Sequence, residues 1–277
     1  MTRGAAFFDL DRTLMHGSSG IHFARAAFQT GLISRGRLVR DLGENLRFRL
    51  RGSTDERADA VRLRVGAMIA GVPVRDLQRL APRVLAGILP RLYPQMLERA
   101  YAHQDAGRPV FIVTAASQEM ADLLAHVLAF DGGLGSRSEI ADGVYTGRAA
   151  GPFNYREGKV ESLTELRGTH SIDLAQSYAY SDSESDLPML RAVGHPVVVN
   201  PDPQLARIAA HEGWEVLRFD RLGRRLKLAG SFVAVAAAGG VGGVVAQGRA
   251  RPVVAGARSH SSRSGRRGRL PTGRRRT

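Results

Sequence analysis

The chain has 277 residues, a formal net charge of +14, an apolar fraction of 43% and no cysteine. That length accommodates one large domain or two small ones around a sizeable core. The missing cysteine excludes disulfides, thiolate metal sites and cysteine nucleophiles.

The charge suggests a polyanion partner, but its placement argues against one for the folded part. Fourteen of the 40 basic residues follow Asp220, the last acid, so the first 220 residues carry 26 acids and 26 bases. A formally neutral domain has no global field to hold it on nucleic acid. Residues 1–6 carry only Arg3, and the apolar run Ala5–Phe8 is short and broken at once by Asp9 and Asp11. This is not a secretory pattern, and a cytoplasmic catalytic part is expected.

In chain order, Ala5 to Leu10 reads as a short buried strand ending in a polar cluster. From about Ile21 to Arg99 the pattern is helical. Ile21, Ala24, Ala27 and Phe28 share one face, and Val61, Val65, Met68 and Ile69 share another. Breaks are expected at Gly52-Ser53-Thr54 and Gly71-Val72-Pro73. Val110–Val113 is a second buried strand, followed by a helix over Gln118–Leu128. Ile140 to Tyr145, with Asp142-Gly143 inside it, reads as a hairpin. Lys159–Leu166 is helical, Ser177–Tyr180 is a third strand and Pro196–Val199 a fourth. Strands alternating with helices imply an α/β fold with a parallel sheet covered on both faces, its ligand site beyond the carboxyl ends of the strands. The helical block between the first two strands is too long for a crossover and is expected to be a separate helical cap.

Three of these strands end in polar clusters: Asp9-Leu10-Asp11-Arg12-Thr13, Thr114, and Ser181-Asp182. Paired carboxylates at a strand end can hold a divalent cation, and hard oxygen ligands favour magnesium. Phosphoryl transfer uses such a cation. A carboxylate can attack phosphorus, and a second one can protonate the leaving alcohol. Thr114 can donate to a phosphate oxygen, Lys159 can neutralise the phosphoryl group, and Asp182 with Asp186 can complete the metal shell and orient Lys159. The bland alternatives are a solvated lysine, a strand-end threonine, and Asp186 as the N-cap of a helix starting at Leu187-Pro188. Arg12 faces substrate or solvent. His16 and His22 lack metal-ligand company and read as surface or cap residues.

Asp9-Leu10-Asp11-Arg12-Thr13 resembles the DxDxT signature of the haloacid-dehalogenase superfamily. Val110–Thr114, Lys159 and Ser181-Asp182-Ser183-Glu184-Ser185-Asp186 resemble its other three motifs, in the right order over about residues 5–200. The resemblance implies a Rossmann-like core with an inserted helical cap, as in the branch containing phosphoserine phosphatases. It implies Asp9 as nucleophile and Asp11 as general acid/base. It also implies magnesium on Asp9, the Asp11 backbone carbonyl and Asp182, phosphate contacts from Thr114 and Lys159, and a supporting role for Asp186. Two departures stand out. Ser181 replaces the usual Gly of the fourth motif. Ser18 stands where phosphoserine phosphatases carry a Glu that binds the substrate amino group, which puts phosphoserine in doubt while leaving phosphate-ester hydrolysis intact.

The expected layout is a catalytic domain over 1–225, with its core at about 1–15 and 100–225 and its cap at about 16–99. An apolar Ala/Gly/Val segment follows at 226–247, then a basic, disordered tail at 248–277. Residues 228–246 are near bilayer-spanning length, with Gly239 and Gly243 at a small-xxx-small spacing. A membrane helix, an interfacial anchor and a flexible linker all stay open for it, and a lipid phosphate is one substrate to test. The tail suits nucleic acid, anionic lipid or plain solvation. The rival to a small-substrate hydrolase is a membrane-tethered or regulatory binding protein built on the same core. The sequence carries no sign of oligomeric state.

Overall fold

The computed structural model describes residues 3–32, 63 and 66–219. All of them fall in the first of two compact units, Met1–Leu222. The break at 52–54, the helical positions Val61 and Val65, the apolar segment at 226–247 and the tail at 248–277 lie outside the described residues.

Six strands form one sheet in the order β3-β2-β1-β6-β7-β8. They are β1 (Ala6–Asp9), β2 (Val110–Ser117), β3 (Gly132–Ser136), β6 (Tyr178–Ser181), β7 (His195–Val199) and β8 (Glu215–Leu217). Every pairing in this sheet is parallel. The chain leaves β1 for β2 and β3 on one side, then returns to place β6 on the other. The direction of winding therefore reverses at β1, which is where ligand crevices form in such sheets.

Both faces of the sheet are buried, so its strands are apolar on both sides. Alternation sorts their residues between two layers. Phe8, Ile112, Tyr180 and Val197 join one cluster with Met96 and Ala100 of α4 (Pro94–Asp105) and Leu124 of α5 (Gln118–Val127). Phe7, Phe111, Val113, Ala179 and Val198 join the other. That second layer is closed by α6 (Glu157–His170), α7 (Leu187–Arg191) and α8 (Pro203–Glu212), through Leu163, Met189 and Leu205. The Phe8 and Tyr180 rings of adjacent strands stack at 4.2 Å.

Between β1 and β2 lie α1 (Ser19–Gln29), α2 (Val74–Gln78) and α3 (Ala81–Ile88), as well as α4. Ala26, Ala27, Val84 and Ile88 of this insertion pack in the same cluster as Phe8 and Ile112. Helices α1, α3 and α4 therefore share a core with the sheet, whereas Leu77 of α2 packs with Ile69 and Tyr145. The expected hairpin is present as β4 (Ser138–Ala141) and β5 (Val144–Ala149). It bonds to the insertion: Gly71 N–H donates to the Tyr145 carbonyl, and Tyr145 N–H donates to that of Val72. Among the described residues no helix is long and apolar enough to cross a membrane.

Candidate active site

Asp9 is the last residue of β1, paired in register with Val113 of β2. Thr114 is thereby brought to the same edge, and Ser181-Asp182 arrives from β6 on the other side. Beyond Asp9 the chain folds into a tight loop. The Leu14 N–H bonds the Asp9 and Leu10 carbonyls, and Arg12 adopts a left-handed φ of 62°. Lys159 comes from the first turn of α6. That helix starts close to the preceding loop, and a side chain at Gly158 would collide with the Phe153 carbonyl. Asn154 fixes this loop to the sheet by donating to the Thr114 carbonyl (2.9 Å) and the Leu134 carbonyl (2.6 Å). The result is a cavity of about 160 Å³ lined by Asp9, Asp11, Arg12, Thr114, Tyr155, Lys159, Asp182 and Asp186, among others.

Lys159 Nζ donates to Asp9 Oδ1 and to Asp186 Oδ2, each at 2.7 Å. Ser181 Oγ donates to the same Asp186 oxygen at 2.7 Å. The serine that replaces the motif glycine is therefore part of the buried network. Asp186 does sit at the N-cap of α7, but its side chain makes no capping bond. It is spent on Lys159 and Ser181 instead. Arg12 pairs with Asp182 at 2.9 Å between Nε and Oδ2 while remaining largely exposed. Asp11 is turned toward the start of α1, where Ser18 Oγ (2.9 Å) and Ser19 N–H (2.8 Å) donate to its two oxygens. The Thr114 side chain is buried, and its oxygen accepts from Ala116 N–H at 3.2 Å. His16 is exposed, and His22 packs against Gly87 of α3.

All six sequence-predicted residues thus line one cavity. Tyr155 in the lining, the supporting bonds from Ser181, Ser18 and Asn154, and the Arg12–Asp182 pair were not expected. The cue available for the two serines was their departure from the family pattern.

The electrostatics of the cavity are acid-rich. Burial pushes the Asp9 carboxyl up to about 7, against the pull of the Lys159 ammonium. Burial and the neighbouring Asp9 charge push Asp182 to about 7 as well. Burial alone would lower Lys159, yet the Asp186 and Asp9 carboxylates hold it above its ordinary value and so fully charged. Four carboxylates face two cations. Among the described residues no three acidic or histidine side chains converge into a ready metal cage. A pair of repelling, buried carboxylates beside open volume nonetheless suits a hard divalent cation that takes oxygen ligands, including backbone carbonyls and water. The donor set therefore fits magnesium.

The chain is similar to several known proteins. A Mycobacterium tuberculosis protein carrying a phosphatase name is 36% identical over 220 residues, 79% of this chain and 76% of that one. A phosphoserine phosphatase of the same organism is 35% identical over 240 residues, 85% of this chain and 78% of that one. A crystal structure from Bordetella pertussis, of a protein of unknown function, superposes with a TM-score of 0.69 at 28% identity, over 78% of this chain and 99% of that one. The model of the haloacid dehalogenase-like hydrolases matches residues 6–191. The chain belongs to that family, and within it is a phosphoric monoester hydrolase.

Proposed function

We propose that the protein hydrolyses a phosphate monoester in two steps through an aspartyl-phosphate on Asp9. The Lys159 ammonium holds Asp9 Oδ1, which leaves Oδ2 to attack phosphorus as the bond to the leaving oxygen breaks. Asp11 gives its proton to the departing alkoxide. It then takes one from the water that attacks the phosphoryl group, which releases inorganic phosphate and restores Asp9. Lys159 has three donors, two of them spent on carboxylates, so one is left for a phosphoryl oxygen. The Thr114 hydroxyl supplies another donor. Asp9, the Asp11 carbonyl and Asp182 would hold magnesium, which when bound offsets the charge that builds on the phosphoryl oxygens. Residues of about 16–99 act as the cap of a core formed by about 1–15 and 100–225.

The observation that carries this reading is the single Lys159 ammonium shared at 2.7 Å by Asp9 and Asp186 at the floor of the cavity. It orients Asp9 through Oδ1 and pulls its carboxyl toward the ionised form against the effect of burial, as a nucleophile requires. The test is hydrolysis of 4-nitrophenyl phosphate by purified protein with and without magnesium, beside Asp9→Asn. Activity should require the metal and fall to background in the variant. Activity surviving in Asp9→Asn would overturn the mechanism, and no activity on any ester would favour a binding role.

The substrate is set by the cap. Phosphoserine is the second reading, favoured by the relative of that name and opposed by Ser18, which offers no countercharge to an ammonium. A panel of esters that includes phosphoserine and lysophosphatidic acid separates these choices.

A further inference from the structure

Ser18 is the residue that sequence comparison leaves without a role. It occupies the N-cap of α1 in an extended conformation (φ −126°, ψ 129°), where a serine ordinarily turns its oxygen onto the backbone N–H groups of the first turn. Here it makes no such bond. Its hydroxyl instead donates to Asp11 Oδ2 at 2.9 Å, while the next residue, Ser19, gives its backbone N–H to Asp11 Oδ1 at 2.8 Å. Both oxygens of Asp11 are therefore tied to the first residues of α1. The Ser19 N–H is one of the donors that a helix start leaves without a partner, and the helix dipole there favours a negative charge.

We infer that Ser18 is a positioning residue for Asp11 and not a substrate-binding residue. The inference rests on the reading of Asp11 as the general acid/base. A serine hydroxyl has one hydrogen to donate, and that hydrogen is already spent on Asp11. Two donors on two different oxygens fix the plane of the carboxylate, and each oxygen keeps a lone pair for the proton that moves to and from the leaving group. Proton transfer of this kind depends on sub-ångström placement, which supporting contacts provide. The position that carries the ammonium-binding Glu in phosphoserine phosphatases is here turned inward, onto the acid itself.

The experiment uses the full chain and four variants: Ser18→Ala, Ser18→Thr, Asp11→Asn and the double variant Ser18→Ala/Asp11→Asn. Folding is checked by circular dichroism, and kcat and KM are measured on 4-nitrophenyl phosphate and on glycerol 2-phosphate. Ser18→Ala should lower kcat about tenfold, the scale of a lost hydrogen bond to a charged acceptor, with KM changed by less than about twofold. Ser18→Thr, which keeps the donor, should recover most of the loss. The double variant should be no slower than Asp11→Asn alone, because a residue acting only through Asp11 has nothing left to act on.

A raised KM with unchanged kcat would make Ser18 a substrate contact and overturn the inference. So would losses that multiply in the double variant, or kinetics in Ser18→Ala identical to those of the unaltered protein. The two failures separate cleanly. If Asp11→Asn keeps full activity, the acid/base reading falls and the inference falls with it. If Asp11→Asn is impaired and Ser18→Ala is not, only the inference falls.

Discussion

Lys159 connects the chemistry to the fold. Its ammonium is buried between Asp9 and Asp186, and Asp186 takes a second donor from Ser181. Replacing it with methionine keeps the volume but strands two buried carboxylates. Breaking a buried ion pair from one side costs about 3–5 kcal/mol, so Lys159→Met should lower the urea midpoint by that equivalent and abolish turnover. Ser181→Ala removes one donor of two from Asp186, so its cost should be about 1 kcal/mol, with a several-fold fall in kcat. A stability loss in Ser181→Ala as large as that of Lys159→Met would contradict this ranking. Asp9, Asp11 and Asp182 were legible in the sequence because apolar strands end at them, and Lys159 and Asp186 because they follow in the order of the motif set. The serines were not, because a hydroxyl's partner depends on rotamer and on which loops meet. Arg12 was left between substrate and solvent, and its left-handed backbone, which turns it toward Asp182, is invisible in composition or periodicity.

Among the elements, the clearest lesson is β3. Its sequence, Gly-Gly-Leu-Gly-Ser, has the composition of a loop, and the pattern of the chain gave no strand there. The glycines are explained by α5: a Cβ at Gly133 would collide with the Ala121 backbone, and one at Gly135 would crowd Gln118 at 2.7 Å. Close approach of the helix dictates the residues, at the expense of strand propensity. Gly133→Ala should therefore destabilise by about 1–3 kcal/mol, the usual cost of overpacking. Gly168→Ala, in an exposed turn of α6 with nothing near its Cβ, should be neutral or stabilise by up to about 1 kcal/mol. Equal effects in chemical denaturation would refute the packing argument. The short edge strand β8 was also missed, having only three residues and none of them buried. The hairpin was found, because Asp142-Gly143 supplies the two positive-φ residues its turn needs.

On the scale of the whole molecule, the acid limit of stability has an identifiable contributor away from the cavity. His103 is buried, and Arg108 Nε donates to its Nδ1 at 2.8 Å. A guanidinium cannot accept, so the ring proton sits on Nε2 and is donated to the Tyr180 hydroxyl at 2.7 Å. Burial, with Arg108 and Arg99 nearby, pushes this histidine down to about 4. Because the folded value lies below the unfolded one, the unfolded chain takes up the proton first. The contribution is fully present above about pH 6.5 and is lost as pH falls toward 4. Unfolding free energy should drop across that window by an amount on the order of 2 kcal/mol that His103→Gln does not show. Parallel pH profiles for the two proteins would exclude the assignment.

The parallel sheet and the convergence of its strand ends were legible at this scale, because the apolar runs are short and separated by helical periods. The joining of the inserted helices to the core of the sheet was not, since Ala26 and Val84 reveal an apolar face but not its partner.

The most direct measurement of the central claim is chemical capture of the intermediate. Protein mixed with 4-nitrophenyl phosphate and magnesium is quenched in acid and treated with borohydride, which reduces an acyl phosphate on aspartate to homoserine. Peptide sequencing should find homoserine at position 9 and aspartate at 11, 182 and 186. Homoserine at any of those three positions, or unmodified aspartate at position 9 during steady turnover, would contradict the assignment of Asp9 as the residue that carries the phosphoryl group.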